Sequence, residues 1–449
     1  MNYYDITDLI NHARFSTKVS GIQRVVLEGM KASSNDDIVF FISPISGKKY
    51  SIIIRDRNQL EDLTTLVNLF IIADMSYPQS RNTINKYIFK FSQSRGWKWR
   101  CLAKLFSNTV FNRYNPFSLF FIKIFRILSV KKFNLKSEYK INLFEDFSNI
   151  DNLVLFGGVW NFQDKYESLI SQAKMRGGNV IFMVYDMIPI VSEYVPDELR
   201  DMFRDYIPFV LEHADKIIVN SSSCKQDLSN YCLSKEIPLP SIEVVHLAHY
   251  LPNSSSKVDY LELPLRTRKL AKEKFLLCVG SIESRKNHIN LLIIWRKFIN
   301  SEVYNNEKLV IVGRFLWDIE PVLGLLQATG NLYGSVIVVE SASEEELRYL
   351  YEKCKFSVYP SHYEGWGLPL GESLSYKKPC LHFDNSSLVE AGYGMTTPVS
   401  YPDYEQYYNM LSLLLTDEDF YQKECERIDV NNLRTWQDFA YDISAELSL

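Results

Sequence analysis

Five short apolar runs in the second half of the chain, Phe275–Val279, Lys308–Val312, Ser335–Val339, Phe356–Tyr359 and Cys380–Phe383, are each followed by a loop and then by a segment of helical apolar spacing. A run that is apolar on both faces suits a strand buried between two layers, and its repetition with intervening helices is the pattern of a parallel sheet. Such a sheet gathers the loops at the carboxyl ends of its strands along one edge. Ligands bind there.

The first half repeats the alternation. Apolar runs at Tyr3–Leu9, Ile38–Ile42, Leu66–Ile72, Leu153–Phe156, Val180–Val184 and Lys216–Val219 read as strands, and Ser20-Gly21 opens a helix over Ile22–Met30. The polar stretch Leu251–Arg268, with Asn253-Ser254-Ser255-Ser256-Lys257, reads as a linker. A chain of 449 residues exceeds the usual single domain. The expected architecture is α/β, with two Rossmann-like domains and a cleft between them, residues 1–262 and 270–429. A last segment, 430–449, carries a helix over Thr435–Leu447 expected to pack back on the first domain.

Two loops concentrate the chemistry. Gly280-Ser281-Ile282-Glu283-Ser284-Arg285-Lys286-Asn287-His288 follows the first strand of the second domain and precedes an apolar helix, which Asn287 is placed to cap. A helix N-terminus with Arg285 and Lys286 beside it suits a diphosphate; an exposed basic loop is the plain alternative. Pro360-Ser361-His362-Tyr363-Glu364-Gly365-Trp366-Gly367-Leu368-Pro369-Leu370-Gly371-Glu372 follows a later strand. Its glycines let backbone approach a ligand, and Pro369 suits the first turn of a helix that carries Glu372. A capped helix with a solvated Glu372 explains the second acid but not the loop.

Together, in this order, Gly280–Asn287 and Glu364–Glu372 resemble the GT(I/L)EPRKN and EGFGLPxxE segments of family 4 glycosyltransferases, retaining enzymes of the GT-B fold. Weaker likenesses are Ser20–Arg24, Tyr185–Pro189, Asn220–Ser223 and Val244–Leu247; the stretch 75–137 has none. The resemblance implies that Arg285 and Lys286 hold the donor diphosphate, Glu364 the transferred hexose, and Glu372 the nucleotide ribose. Gly365, Trp366, Gly367 and Leu368 would offer backbone N–H groups, and Gly21 would also face the donor. The nucleobase would lie near Glu340–Ser343, although Ser343 with Glu346 is equally a capping box. Many members read His-Asp where this chain has Tyr185-Asp186, so only Asp186 carries over as a catalytic residue beside Glu364. Ser284 stands where proline is usual, which leaves both charges in place.

Breaking a glycosyl–phosphate bond builds charge on the leaving diphosphate, which fixed cations stabilise. The chain has no Asp-x-Asp motif, and its seven cysteines have no metal-ligand spacing. Neither metal nor cofactor is expected, and the thiols suit a reducing compartment. His12, His246, His249 and His362 are not assigned as bases, because a satisfied structural histidine is at least as good a reading of each.

Charge is uneven. Residues 75–137 contain thirteen Lys and Arg and no Asp or Glu, in a chain whose net charge is −4. Fourteen aromatic residues interleave with those cations, a mixture that suits an anionic membrane surface; nucleic acid would attract the same charges, but the resemblance to glycosyltransferases makes a lipid-linked acceptor the better partner. An insertion packed on the first domain is the bland reading. The chain opens without a basic, then apolar, leader and has no run long enough to span a bilayer, so a cytoplasmic protein, peripheral at the inner membrane face, is expected.

The combined expectation is hexosyl transfer from a nucleotide sugar, GDP-mannose slightly favoured, to a saccharide or lipid-linked saccharide in cell-surface polysaccharide synthesis. The alternatives are a nucleotide-sugar epimerase of similar architecture and a catalytically silent scaffold at the membrane.

Overall fold

The computed structural model describes residues 1–13, 21–31, 37–43, 47–54, 139–161, 163–251, 258, 260–261, 263–270, 272–340 and 342–448. These fall into two compact units, Met1–Met183 with Glu212–Lys216 and Ser444–Leu449, and Val184–Leu211 with Ile217–Ile443. The apolar run Leu66–Ile72 and the basic stretch 75–137 lie outside the described residues.

In the first unit, β1 (Asn2–Asp5), β2 (Ile38–Ile42), β3 (Lys49–Ile54), β4 (Tyr139–Leu143), β5 (Asn152–Leu155) and β6 (Asn179–Val184, all but its last residue) stand in the order β4-β3-β2-β1-β5-β6. β1 runs parallel to β2 and β5, whereas β3 is antiparallel to both its neighbours. The expected strand Tyr3–Leu9 is shorter than its apolar run. Asp5 accepts from the Thr7 amide at 3.1 Å and a helix over Thr7–Ala13 follows, so Leu9 is helical and a helix stands before the one at Gly21–Lys31.

The second unit contains β7 (Lys216–Val219, all but its first residue) and β8 (Ser241–Val244), then a five-stranded sheet. That sheet orders β9 (Phe275–Val279), β10 (Lys308–Val312), β11 (Val336–Val339), β12 (Ser357–Tyr359) and β13 (Cys380–His382) as β11-β10-β9-β12-β13, parallel throughout. Successive residues of a strand face opposite sides, and both sides are buried here. Leu276, Leu309 and Ile311 pack with Trp295 and Phe298 of the helix His288–Ile299 on one side. Phe275, Leu277, Val310 and Val312 pack with Leu350 and Tyr351 on the other. Each such side chain, worth roughly 1.5–3 kcal/mol when fully buried, helps fix the sheet whose carboxyl edge carries both chemical loops.

The expected break between 262 and 270 does not coincide with the division into units. Segments upstream of it are fastened within the second unit: the Ser222 and Ser223 amides donate to Glu390 at 2.8 and 2.9 Å, and His249 exchanges backbone and ring bonds with Arg434. The linker reading is also corrected at its end. Leu265–Leu270 is a helix, held where Arg266 and the Thr267 hydroxyl meet the buried Glu346 carboxylate. The last helix, Trp436–Ser448, ends in the first unit, where the Leu447 carbonyl accepts from Asn152 at 2.8 Å.

Candidate active site

The turn after β9 is a single 3-10 turn, Ser284–Lys286, ended by Asn287 in the left-handed region at φ 60°. Asn287 does not cap the following helix through its side chain, contrary to the sequence expectation. Its amide nitrogen donates instead to the Pro360 carbonyl at 3.0 Å, which ties this turn to the loop after β12. The His362 amide donates to the Arg285 carbonyl at 2.9 Å and adds a second tie. Residues nearly eighty apart in sequence therefore share one site.

At its centre Glu364 meets both expected cations. One carboxylate oxygen lies 2.8 Å from an Arg285 guanidinium nitrogen, and the other lies 2.6 Å from Lys286 Nζ. Arg285 also donates to the Tyr363 carbonyl at 2.6 Å and pairs with Glu283 at 2.7 Å. All are buried or nearly so, Glu364 being 6% exposed. Burial pushes the Glu364 pKa up, but Arg285 and then Lys286 outweigh it and hold the group at about 2. Burial pulls the Lys286 ammonium below the ordinary lysine value, an effect its carboxylate neighbour partly offsets.

The Asp186 carboxyl is beside this cluster. Its pKa is raised, first by burial and then by Glu364, against the opposing pull of Arg285 and of the Ile188 amide, which donates to it at 3.0 Å. Contact with Gly365 is so close that a Cβ there would stand 2.5 Å from the Tyr185 carbonyl oxygen and 2.8 Å from Asp186 Cβ. That approach needs glycine. Gly367, at φ +113°, turns the chain into the helix Leu368–Ser375, of which Leu368 is the first residue. Between them Trp366 is buried, its ring centroid 4.9 Å from that of His246.

The other candidates are placed differently. Glu372 is buried in that helix and accepts from the Tyr351 hydroxyl at 2.9 Å, so it is not the solvated acid of the plain reading. Ser343 accepts from the Glu346 amide at 3.0 Å as the cap of Glu344–Lys353. Gly21, at φ +47°, begins a helix of the first unit.

Residues 263–429 match the family model for glycosyl transferases group 1. The segment is a group 1 glycosyl transferase domain. Escherichia coli serotype-specific mannosyltransferase WbdA is 27% identical over 224 residues, 47% of this chain and 27% of that protein. Escherichia coli O-antigen chain mannosyltransferase B is 32% identical over 205 residues, 45% of each. The chain thus spans less than half the length of these curated relatives. Anabaena Alr3699/HepE, solved in complex with UDP and glucose, superposes with a TM-score of 0.57 at 12% identity, covering 100% of this chain and 99% of that one. The shared fold is GT-B.

Within the group 1 domain, sequence reading passed over several residues that build the site. Glu283 is 4% exposed and fixes Arg285, while Ser281 donates to its other oxygen at 2.8 Å. Ser386 Oγ accepts the Glu364 amide at 3.0 Å, and Ser387 Oγ lies 2.9 Å from the Glu364 and Trp366 carbonyls. Tyr359 places its hydroxyl 2.6 Å from Lys286 Nζ. The pair Ser386-Ser387 carried no signal, but Glu283 lay inside a loop already singled out.

The histidines are structural or paired. His249 bonds the Ala391 carbonyl and the Arg434 amide, His362 stacks on Tyr194 with centroids 4.0 Å apart, and burial lowers both pKa values to about 4. His246 lies 3.3 Å from Glu390.

Proposed function

We propose that the chain is a retaining hexosyltransferase that uses a nucleotide diphosphate sugar, with GDP-mannose the favoured donor. The buried triangle of Arg285, Lys286 and Glu364 carries this reading. Two cations held at the carboxyl edge of a parallel sheet match the charge of a diphosphate, and the carboxylate between them is poised to meet the attached sugar. Lys286 has three N–H donors, two engaged by Glu364 and Tyr359 among the described residues. The third is available to a phosphate oxygen. Mannosyl donors are favoured because the curated relatives are named mannosyltransferases.

In the proposed reaction the bond between the anomeric carbon and the phosphate oxygen breaks as the acceptor hydroxyl attacks from the same face. The leaving diphosphate takes both bond electrons, Arg285 and Lys286 stabilise its charge, and a phosphate oxygen accepts the acceptor's proton. Glu364 orients the hexose, Glu372 the ribose, and Asp186 borders the reacting carbon. The acceptor would be a saccharide or lipid-linked saccharide of a cell-surface polysaccharide. The basic stretch 75–137 would bring the enzyme to an anionic membrane at its cytoplasmic face.

A panel of nucleotide sugars, scored for thermal stabilisation and nucleoside diphosphate release, tests the donor. GDP-mannose should respond, and the product's anomeric coupling should report retention. No response to any donor would sink the transferase reading, as would conversion of the sugar without an acceptor. For the membrane, binding to anionic liposomes should weaken with salt; equal partitioning to neutral vesicles would remove that part.

A further inference from the structure

Tyr359 ends β12, one residue before the loop that carries Glu364. It is 3% exposed, and its hydroxyl is the second acceptor of Lys286 Nζ, at 2.6 Å. The ammonium also lies 4.8 Å from the centroid of the tyrosine ring. The phenol therefore meets the cation with an oxygen and with a π face. A tyrosine in an apolar strand is ordinarily explained by its ring alone. Here the polar end touches one of the charges on which the site depends.

We propose that Tyr359 is a positioning residue that holds Lys286 charged and aimed at the donor's diphosphate, a role that rests on the transferase reading only for the ligand. The physical reason is desolvation: a buried lysine loses its proton easily unless acceptors replace water. Nζ meets the Glu364 carboxylate and the Tyr359 phenol, with Arg285, Glu283 and Asp186 as the further charges that couple to it and His288 and Cys278 as neutral groups that do so. Arg285 works against the ammonium, and its effect is only partly cancelled by Glu283. Tyr359 is the uncharged acceptor that restores what burial removes.

Tyr359→Phe keeps the ring and deletes one oxygen. In the full chain with 13C-labelled lysine, the Lys286 signal, assigned by its loss in Lys286→Arg, should titrate about one pH unit lower in Tyr359→Phe than in wild type. GDP affinity by calorimetry should fall more at pH 9 than at pH 7, by a factor whose ceiling is about ten, because the diphosphate loses its partner as pH rises through the lower lysine pKa. An unmoved Lys286 midpoint overturns the proposal, whatever happens to catalysis. A GDP affinity lowered equally at both pH values does so too, since it would mean a packing effect. A moved midpoint in a protein that binds no nucleoside diphosphate upholds the effect on Lys286 and removes the transferase reading instead.

Discussion

Replacing Glu364 by Gln removes the carboxylate that, alone among the described residues, pairs with both Arg285 and Lys286, and its consequence for stability can be worked from the site. The folded-state pKa of about 2 against an ordinary 4.5 corresponds to about 3 kcal/mol at neutral pH. That figure agrees with the roughly 3–5 kcal/mol lost when one member of a buried ion pair is removed and its partners stay behind. For a unit of this size it amounts to about 6 to 12 °C in melting temperature. The sign follows from the depression of the pKa. Stability from Glu364 is fully present above the unfolded value of 4.5 and is lost as pH falls toward 2. Scanning calorimetry of wild type and Glu364→Gln at pH 7, 5.5, 4 and 3 should show a constant gap at the two higher values and a shrinking one at the lower two. A gap under about 2 °C at pH 7, or one as large at pH 3 as at pH 7, would refute the account of a charged triangle.

Kinetics separate the roles of the same residues. Glu364→Gln should lower kcat by about a hundredfold or more with donor affinity changed only severalfold, whereas Arg285→Ala should weaken donor binding and turnover together; normal turnover in Glu364→Gln would remove that residue from the catalytic set. Gly365→Ala forces a methyl group to within 2.5 Å of the Tyr185 carbonyl, so it should cost about 1–3 kcal/mol by thermal or urea unfolding and abolish transfer, and wild-type activity would show that the two loops separate in solution. Tyr351→Phe frees the Glu372 carboxylate from its 2.9 Å bond and should cost about 1 kcal/mol while raising the apparent KM for donor more than it lowers kcat; an unchanged KM would divorce Glu372 from the donor.

How much of this was legible in the chain depends on the kind of information each feature needs. Strands β9 and β10 coincide with their apolar runs because both of their faces are buried, so hydrophobicity alone marks the ends. The run Tyr3–Leu9 outlasts β1 because Leu9 is as apolar in the helix Thr7–Ala13 as in a strand, while Asp5 accepts from the Thr7 amide and hydroxyl where that helix opens. β3 and β4 fall outside the parallel alternation of strand and helix, because β3 pairs antiparallel on both sides. Glycine and proline marked the two loops correctly, since backbone conformation is a local property.

The partners of those loops are not local, and there the sequence is silent. Arg285 and Lys286 read as free charges awaiting a phosphate, but folding brings Glu364 between them, and Glu283 takes a share of Arg285. A diphosphate entering the site would therefore meet cations already shared with carboxylates rather than an unpaired positive pocket. On the proposed reading the diphosphate would share these cations with the carboxylates, taking the third Lys286 donor, so the affinity gained would be smaller than two bare charges would supply. On the same proposed reading, specificity for the transferred sugar would rest on whether Glu364 finds a hydroxyl to accept. A donor lacking the hydroxyl that meets Glu364 would leave a buried carboxylate unsatisfied and be rejected more strongly than its missing contact alone suggests.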